Sequence, residues 1–149
     1  MLDTDLPSLD AADGGERLRF GDVEILVRAA AGTTGGAFSV FEEIAPVDTP
    51  LHVHAYEDEL FYVLEGEHVF RVGDEEISAG PGGLVFAPRG VPHAQRRVAP
   101  RTGRVLVLCS PAGLEGFFRE LAGAARDGTL GSAAYDRASR RYGIGWLEE

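Results

Sequence analysis

Between Arg17 and Ser110 the chain is written in short β-branched or aromatic runs broken by Gly, Pro and Asp. Val23, Ile25 and Val27 recur at every second position, as do Phe38 and Val40, whereas Leu60-Phe61-Tyr62-Val63-Leu64, Leu84-Val85-Phe86 and Val105 to Leu108 are unbroken apolar stretches. Period-two alternation and short solid runs are the patterns of strands covered on one face or on both. Turn signals separate them at Gly21-Asp22, Gly35-Gly36, Gly66, Gly73-Asp74 and Gly80-Pro81-Gly82-Gly83. Regularly spaced short strands without intervening helices predict an all-β sandwich, jelly roll or barrel over residues 17–110.

The period changes after Pro111. Leu114, Phe117, Phe118 and Leu121 take the i, i+3, i+4, i+7 spacing of one helix face, and Asp127-Gly128 marks the end of that helix. A second helix is expected from Ser132 to Tyr142, with Ser132 as N-cap and Gly143 as the C-terminal stop. Residues 111–149 are therefore read as a helical extension that packs on the barrel or on a partner subunit and carries no chemistry. Residues 1–16 hold five acidic side chains with Pro7, Gly14 and Gly15 and sustain neither periodicity, which predicts a flexible acidic arm.

With 149 residues the chain has the length of one domain with a real core. Its 14 Lys+Arg against 24 Asp+Glu give a formal net charge of -10, which argues against nucleic acid as a partner. The exception is the basic cluster Arg96, Arg97, Arg101 and Arg104, read as a solvated strand edge and turn, with a local anion or subunit contact as the sharper alternative. The single Cys109 has no disulfide partner and ends an apolar strand, so it is expected to be a buried structural thiol. No leader-like or membrane-spanning apolar run occurs, and a cytoplasmic protein without membrane contact is expected.

Against this background the histidines stand out. In Leu51-His52-Val53-His54 a strand would point both imidazoles to one face and Val53 to the other. Glu59 lies at an odd offset from His54, so a turn through Ala55-Tyr56-Glu57-Asp58 is needed, after which a hairpin folds the carboxylate back beside the histidines. His93 follows Ala87-Pro88-Arg89-Gly90-Val91-Pro92, a tight reversal, and opens a strand on which Gln95 and Arg97 share its face. Three imidazoles and one carboxylate from separated stretches suit a divalent metal better than packing alone. His68 has no partner at ligand spacing and is read as structural or exposed, while Glu57 and Asp58 are the runners-up for the carboxylate ligand, with a solvated turn as the preferred reading.

The segment Pro50 to Gly66, with His52-Val53-His54, four residues, Glu59, six residues and Gly66, resembles the first motif of the cupin superfamily. Gly82 through His93, with Pro88 and Gly90, is similar to the second. Resemblance to small, single-domain quercetin-dioxygenase-like cupins runs from Arg17 to Leu121 and takes in Thr34-Gly35-Gly36 and Pro111-Ala112-Gly113-Leu114-Glu115. It implies a double-stranded β-helix barrel whose interior holds a metal on His52, His54, Glu59 and His93. Two positions depart from the pattern, Pro46 for the leading glycine of the first motif and Arg97 for the closing asparagine of the second.

Four protein ligands leave up to two positions on a six-coordinate ion for water, substrate or dioxygen. One divalent transition metal is expected, Fe, Mn, Ni or Zn. With Glu59 as the single anionic ligand the centre keeps net positive charge and favours an enolate, phenolate or carboxylate. The resemblance also implies that Glu59 leaves the metal transiently and acts as catalytic base. Phe61, Val63 and Phe86 are candidate apolar walls for a planar substrate, core packing accounting for them equally well, and Gln95 and Arg97 complete the candidate pocket. The expected function is a metal-dependent dioxygenase acting on a small organic anion of phenol, enol or diketone type. The alternatives are a non-catalytic small-molecule-binding cupin and a metal-assisted isomerase or lyase. A homodimer is expected from the resemblance and from the need to protect sheet edges.

Overall fold

The computed structural model describes residue 12, residues 14–98 and residues 102–148. Most of the acidic arm and Arg101 of the basic cluster therefore lie outside the described residues, although Glu16 already belongs to the first strand. The chain runs through β1 (Glu16–Phe20), β2 (Val23–Ala29), a single-turn helix α1 (Ala31–Thr34), β3 (Ser39–Ile44), β4 (Thr49–His54) and β5 (Asp58–Glu65). It continues through β6 (His68–Val72), β7 (Glu75–Ala79), β8 (Leu84–Ala87), β9 (His93–Arg97) and β10 (Arg104–Ser110). Helices α2 (Glu115–Asp127) and α3 (Ser132–Arg141) follow, and β11 (Ile144–Trp146) closes the described chain.

The strands form two antiparallel sheets, one in the order β1-β2-β3-β10-β5-β8 and the other β11-β4-β9-β6-β7. Two-residue connections at Gly21-Asp22 and Gly73-Asp74 make the β1–β2 and β6–β7 hairpins, and both glycines take positive φ. Along β10 every second residue is buried, so Val105, Val107 and Cys109 point inward to meet Phe61, Val63, Phe70 and Val85 between the sheets. The architecture is the jelly roll with a C-terminal helical part. His68 is fully buried, its Nε2 3.1 Å from the Glu65 carbonyl oxygen. Gly66 and Gly103 approach its ring so closely that a Cβ at either would come within 3.1–3.2 Å of it.

Several local expectations are corrected. β4 pairs with β9 and β11 rather than with β5, so Ala55-Tyr56-Glu57 is a corner between the sheets and not the turn of a hairpin. On β3 the inward face carries Ser39, Phe41 and Glu43, and the alternation of Phe38 and Val40 marks the outer one. Gly131, not Ser132, occupies the N-cap of α3. The tail also contributes a strand, with Ile144 opposite His54 and Trp146 opposite His52. Where Pro46 replaces a glycine, the preceding Ala45 takes φ 46° and its amide bonds the Gly103 carbonyl at 2.9 Å. No helix among the described residues is long and apolar enough to cross a membrane.

Candidate metal centre

His52 and His54 project from β4, His93 from β9 directly opposite His52, and Glu59 from β5 in the other sheet. All four side chains are buried, and one ligand atom from each lies within 4.8 Å of the others. Glu59 Oε1 is 2.8 Å from His54 Nε2 and 3.0 Å from His93 Nε2. Adjacent donors around a six-coordinate ion with bonds of about 2.1 Å stand roughly 3 Å apart, so these separations suit such an ion.

The far nitrogens of the rings support the same reading. His52 Nδ1 lies 2.8 Å from the Pro50 carbonyl oxygen, His93 Nδ1 3.3 Å from that of Val91, and His54 Nδ1 3.2 Å from Glu57 Oε1. Each imidazole thus donates Nδ1–H outward and turns Nε2 to the common centre, the arrangement by which outer hydrogen bonds fix metal-binding histidines. Glu57 is buried, which corrects its expected place in a solvated turn. Asp58 is not in the turn either: it opens β5 opposite Ser110, and its carboxylate accepts a 2.8 Å bond from the Arg89 amide.

Electrostatics separates the four groups. Burial, with the neighbouring His93, pushes His52 down to about 4 and keeps it a neutral donor. Burial also opposes charge on His54, but the Glu59 and Glu57 carboxylates outweigh it and raise His54 to about 9. Burial would likewise raise Glu59, yet His54 and His93 hold it well below the usual carboxylate range. A site that stabilises a proton against Glu59 this strongly offers a cation the same charge complement, and the two compete for it. The donor set therefore fits a divalent metal.

Beside the cluster lies a cavity of about 210 Å³. Phe20, Val23 and Ile25 come to it from the first hairpin, Phe41 and Glu43 from β3, and Phe61 and Gln95 from the strands that carry Glu59 and His93. The tail supplies Leu114, Phe117, Phe118, Tyr135, Ile144 and Trp146, so it walls the cavity rather than merely covering the barrel. Among the residues expected to form the pocket, Phe61 and Gln95 line it and Val63, Phe86 and Arg97 do not. Val63 is packed wholly within the core. Phe86 is 53% exposed on the outer face of β8, because Val85 and Ala87 are the residues that turn inward there. Arg97 ties the β3–β4 connection instead, its amide bonding Asp48 at 3.1 Å and its guanidinium the Pro46 carbonyl at 3.4 Å. The sequence reading missed Glu43, the outer bond of Glu57 to His54 and the whole tail wall.

Residues 40–109 match the family model described as cupin domain. Over 123 residues, 81% of the chain, there is 33% identity to quercetin 2,3-dioxygenase of Bacillus subtilis (strain 168), of whose length the chain spans 36%. KdgF from Halomonas sp. superposes with a TM-score of 0.64 at 17% identity, covering 74% of this chain and 99% of that one. The DMSP lyase DddQ from Ruegeria pomeroyi DSS-3 gives a TM-score of 0.52 at 26% identity, covering 62% of this chain and 51% of that one.

Proposed function

The chain belongs to the cupin superfamily and is quercetin-dioxygenase-like, and on that premise we propose that it is a mononuclear metal-dependent dioxygenase acting on a small organic anion of phenol, enol or diketone type. The observation that carries this reading is the buried set of three imidazoles and one carboxylate opening onto an apolar cavity. A divalent ion held there, iron or manganese for this reaction, supplies Lewis acidity and redox capacity at one point.

The protein's own groups do the rest. His52, His54 and His93 bring no charge to the centre as neutral donors, so Glu59 neutralises only half of a divalent ion and leaves room for an anionic substrate. Phe41, Phe61, Phe117 and Ile144 exclude water from the space beside it. Glu59 takes the substrate's acidic proton on the carboxylate oxygen turned away from the two Nε2 atoms, and Glu57 keeps the His54 ring oriented while it does so. The relative named quercetin 2,3-dioxygenase supports the reaction class. In the test, iron- or manganese-loaded protein is offered a panel of phenols and diketones while oxygen uptake is followed. Substrate-dependent uptake that disappears in His54→Ala is expected, and no uptake across the panel would overturn the reading.

A metal-assisted lyase is the second reading, favoured by the 26% identity to a DMSP lyase. Turnover that persists without oxygen identifies it. We further propose a homodimer, built on the outer face of β5 and β8. There Tyr62, Leu64, Leu84 and Phe86 are 41%, 37%, 60% and 53% exposed, and Tyr62 and Leu84 stand directly opposite each other. A second copy of the same patch is the partner such a face fits about a two-fold axis.

A further inference from the structure

Two polar side chains outside the four-donor cluster also line the cavity. Glu43 on β3 and Gln95 on β9 reach it from opposite sheets. Glu43 Oε1 and Gln95 Nε2 are buried and close enough for the amide to act on the carboxyl, yet neither atom completes a hydrogen bond of good geometry among the described residues. Glu42 shows the contrast. One residue earlier and on the other face of β3, it is clasped by Arg28 at 2.8 Å and by Arg104. Glu43 makes no such ion pair among the described residues; burial and the charge on Glu59 push its carboxyl up to about 8, the Gln95 amide acting the other way. Buried polar atoms without partners destabilise a fold, and an apolar side chain at either position would satisfy the packing. Local rules broken in this way collect where a protein binds something.

We propose that Glu43 and Gln95 form a hydroxyl-recognition subsite, and that the ligand is a one-ring or short-chain organic anion carrying a neutral hydroxyl about 6–7 Å from its metal-held end. The distance follows from β9, where Gln95 is two residues beyond His93 on the same face. The hydroxyl follows from the unmet groups. It bonds the Glu43 carboxyl as donor or acceptor and accepts from the Gln95 amide at once, whereas a carboxylate would place a second anion close to Glu59. The size follows from the 210 Å³ of the cavity, below the roughly 300–1,000 Å³ of pockets for drug-sized ligands. The inference rests on the reading that the His52, His54, Glu59 and His93 cluster holds an anion through a metal.

The test is calorimetric titration of zinc-loaded protein, without oxygen, with 4-methylcatechol and 4-(hydroxymethyl)catechol. Both probes should bind, lose binding in His54→Ala, and differ by about tenfold in favour of the hydroxymethyl compound. That preference should fall to within about twofold in Glu43→Leu and in Gln95→Leu, with 4-methylcatechol affinity kept, and Glu43→Gln should recover part of it. Equal affinity of the wild type for the two probes, or a preference retained in both leucine variants, overturns the subsite and leaves the metal reading standing. Failure of both probes to bind overturns the metal reading and the subsite with it.

Discussion

His54 alone among the three imidazoles gives its outer N–H to a carboxylate, since His52 and His93 give theirs to main-chain carbonyls. Glu57 should therefore matter to the metal without touching it. Glu57→Gln is expected to weaken metal affinity by about 10-fold and Glu57→Ala by up to about 100-fold, read by competition with a chromophoric chelator. Three of the donors were legible in the sequence because strand alternation places His52 and His54 on one face and because a prolyl reversal introduces His93; Glu59 was found by its motif spacing, since the hairpin expected to carry it does not form. Glu57 was not legible. Inside a polar four-residue stretch nothing tells which side chain turns inward until the position of His54 is known. Glu43 was hidden differently: the alternation of Phe38 and Val40 selects the wrong face of β3, and Phe41 two residues earlier was the signal that would have found it.

At the scale of elements, the join between α1 and α2 hangs on one side chain. Glu115 is fully buried in the first turn of α2 and accepts the Ala31 amide at 2.7 Å and the Gly113 amide at 2.9 Å. Its charge also faces the positive end of the helix. Glu115→Ala leaves two amides without their partner and should destabilise the protein by about 2–4 kcal/mol in urea unfolding, with Glu115→Gln losing less. The period of Leu114 to Leu121 made α2 readable. β11 was beyond reach, because three residues around a central glycine carry no pattern, and without it the tail looks like a cover instead of a cavity wall. The corner at Ala55-Tyr56-Glu57 was misread for a related reason: a turn is visible in sequence, but whether the next strand pairs back or crosses to another sheet depends on which edges β9 and β10 have already taken.

On the scale of the whole molecule, two sheets with alternating inward residues were legible from strand spacing and from the two motifs, and the face proposed for the expected homodimer was not. Leu84-Val85-Phe86 reads as one apolar run in sequence, yet only Val85 enters the core. The paired substitution Leu84→Glu with Phe86→Glu removes apolar surface that no described residue covers, so it should leave the monomer's fold intact. It should halve the sedimenting mass of the protein, and a wild type that already sediments as a monomer would refute the dimer.

The donors of the centre are divided between the sheets, His52, His54 and His93 on the five-stranded one and Glu59 on the six-stranded one. An ion bound to all four is then a rivet through the barrel, and its grip deepens with the logarithm of the free ion concentration. Trace-metal supply would govern how long each copy survives proteolysis as well as what it binds, and a chelator would act on this chain as a reductant acts on a disulfide-stapled one.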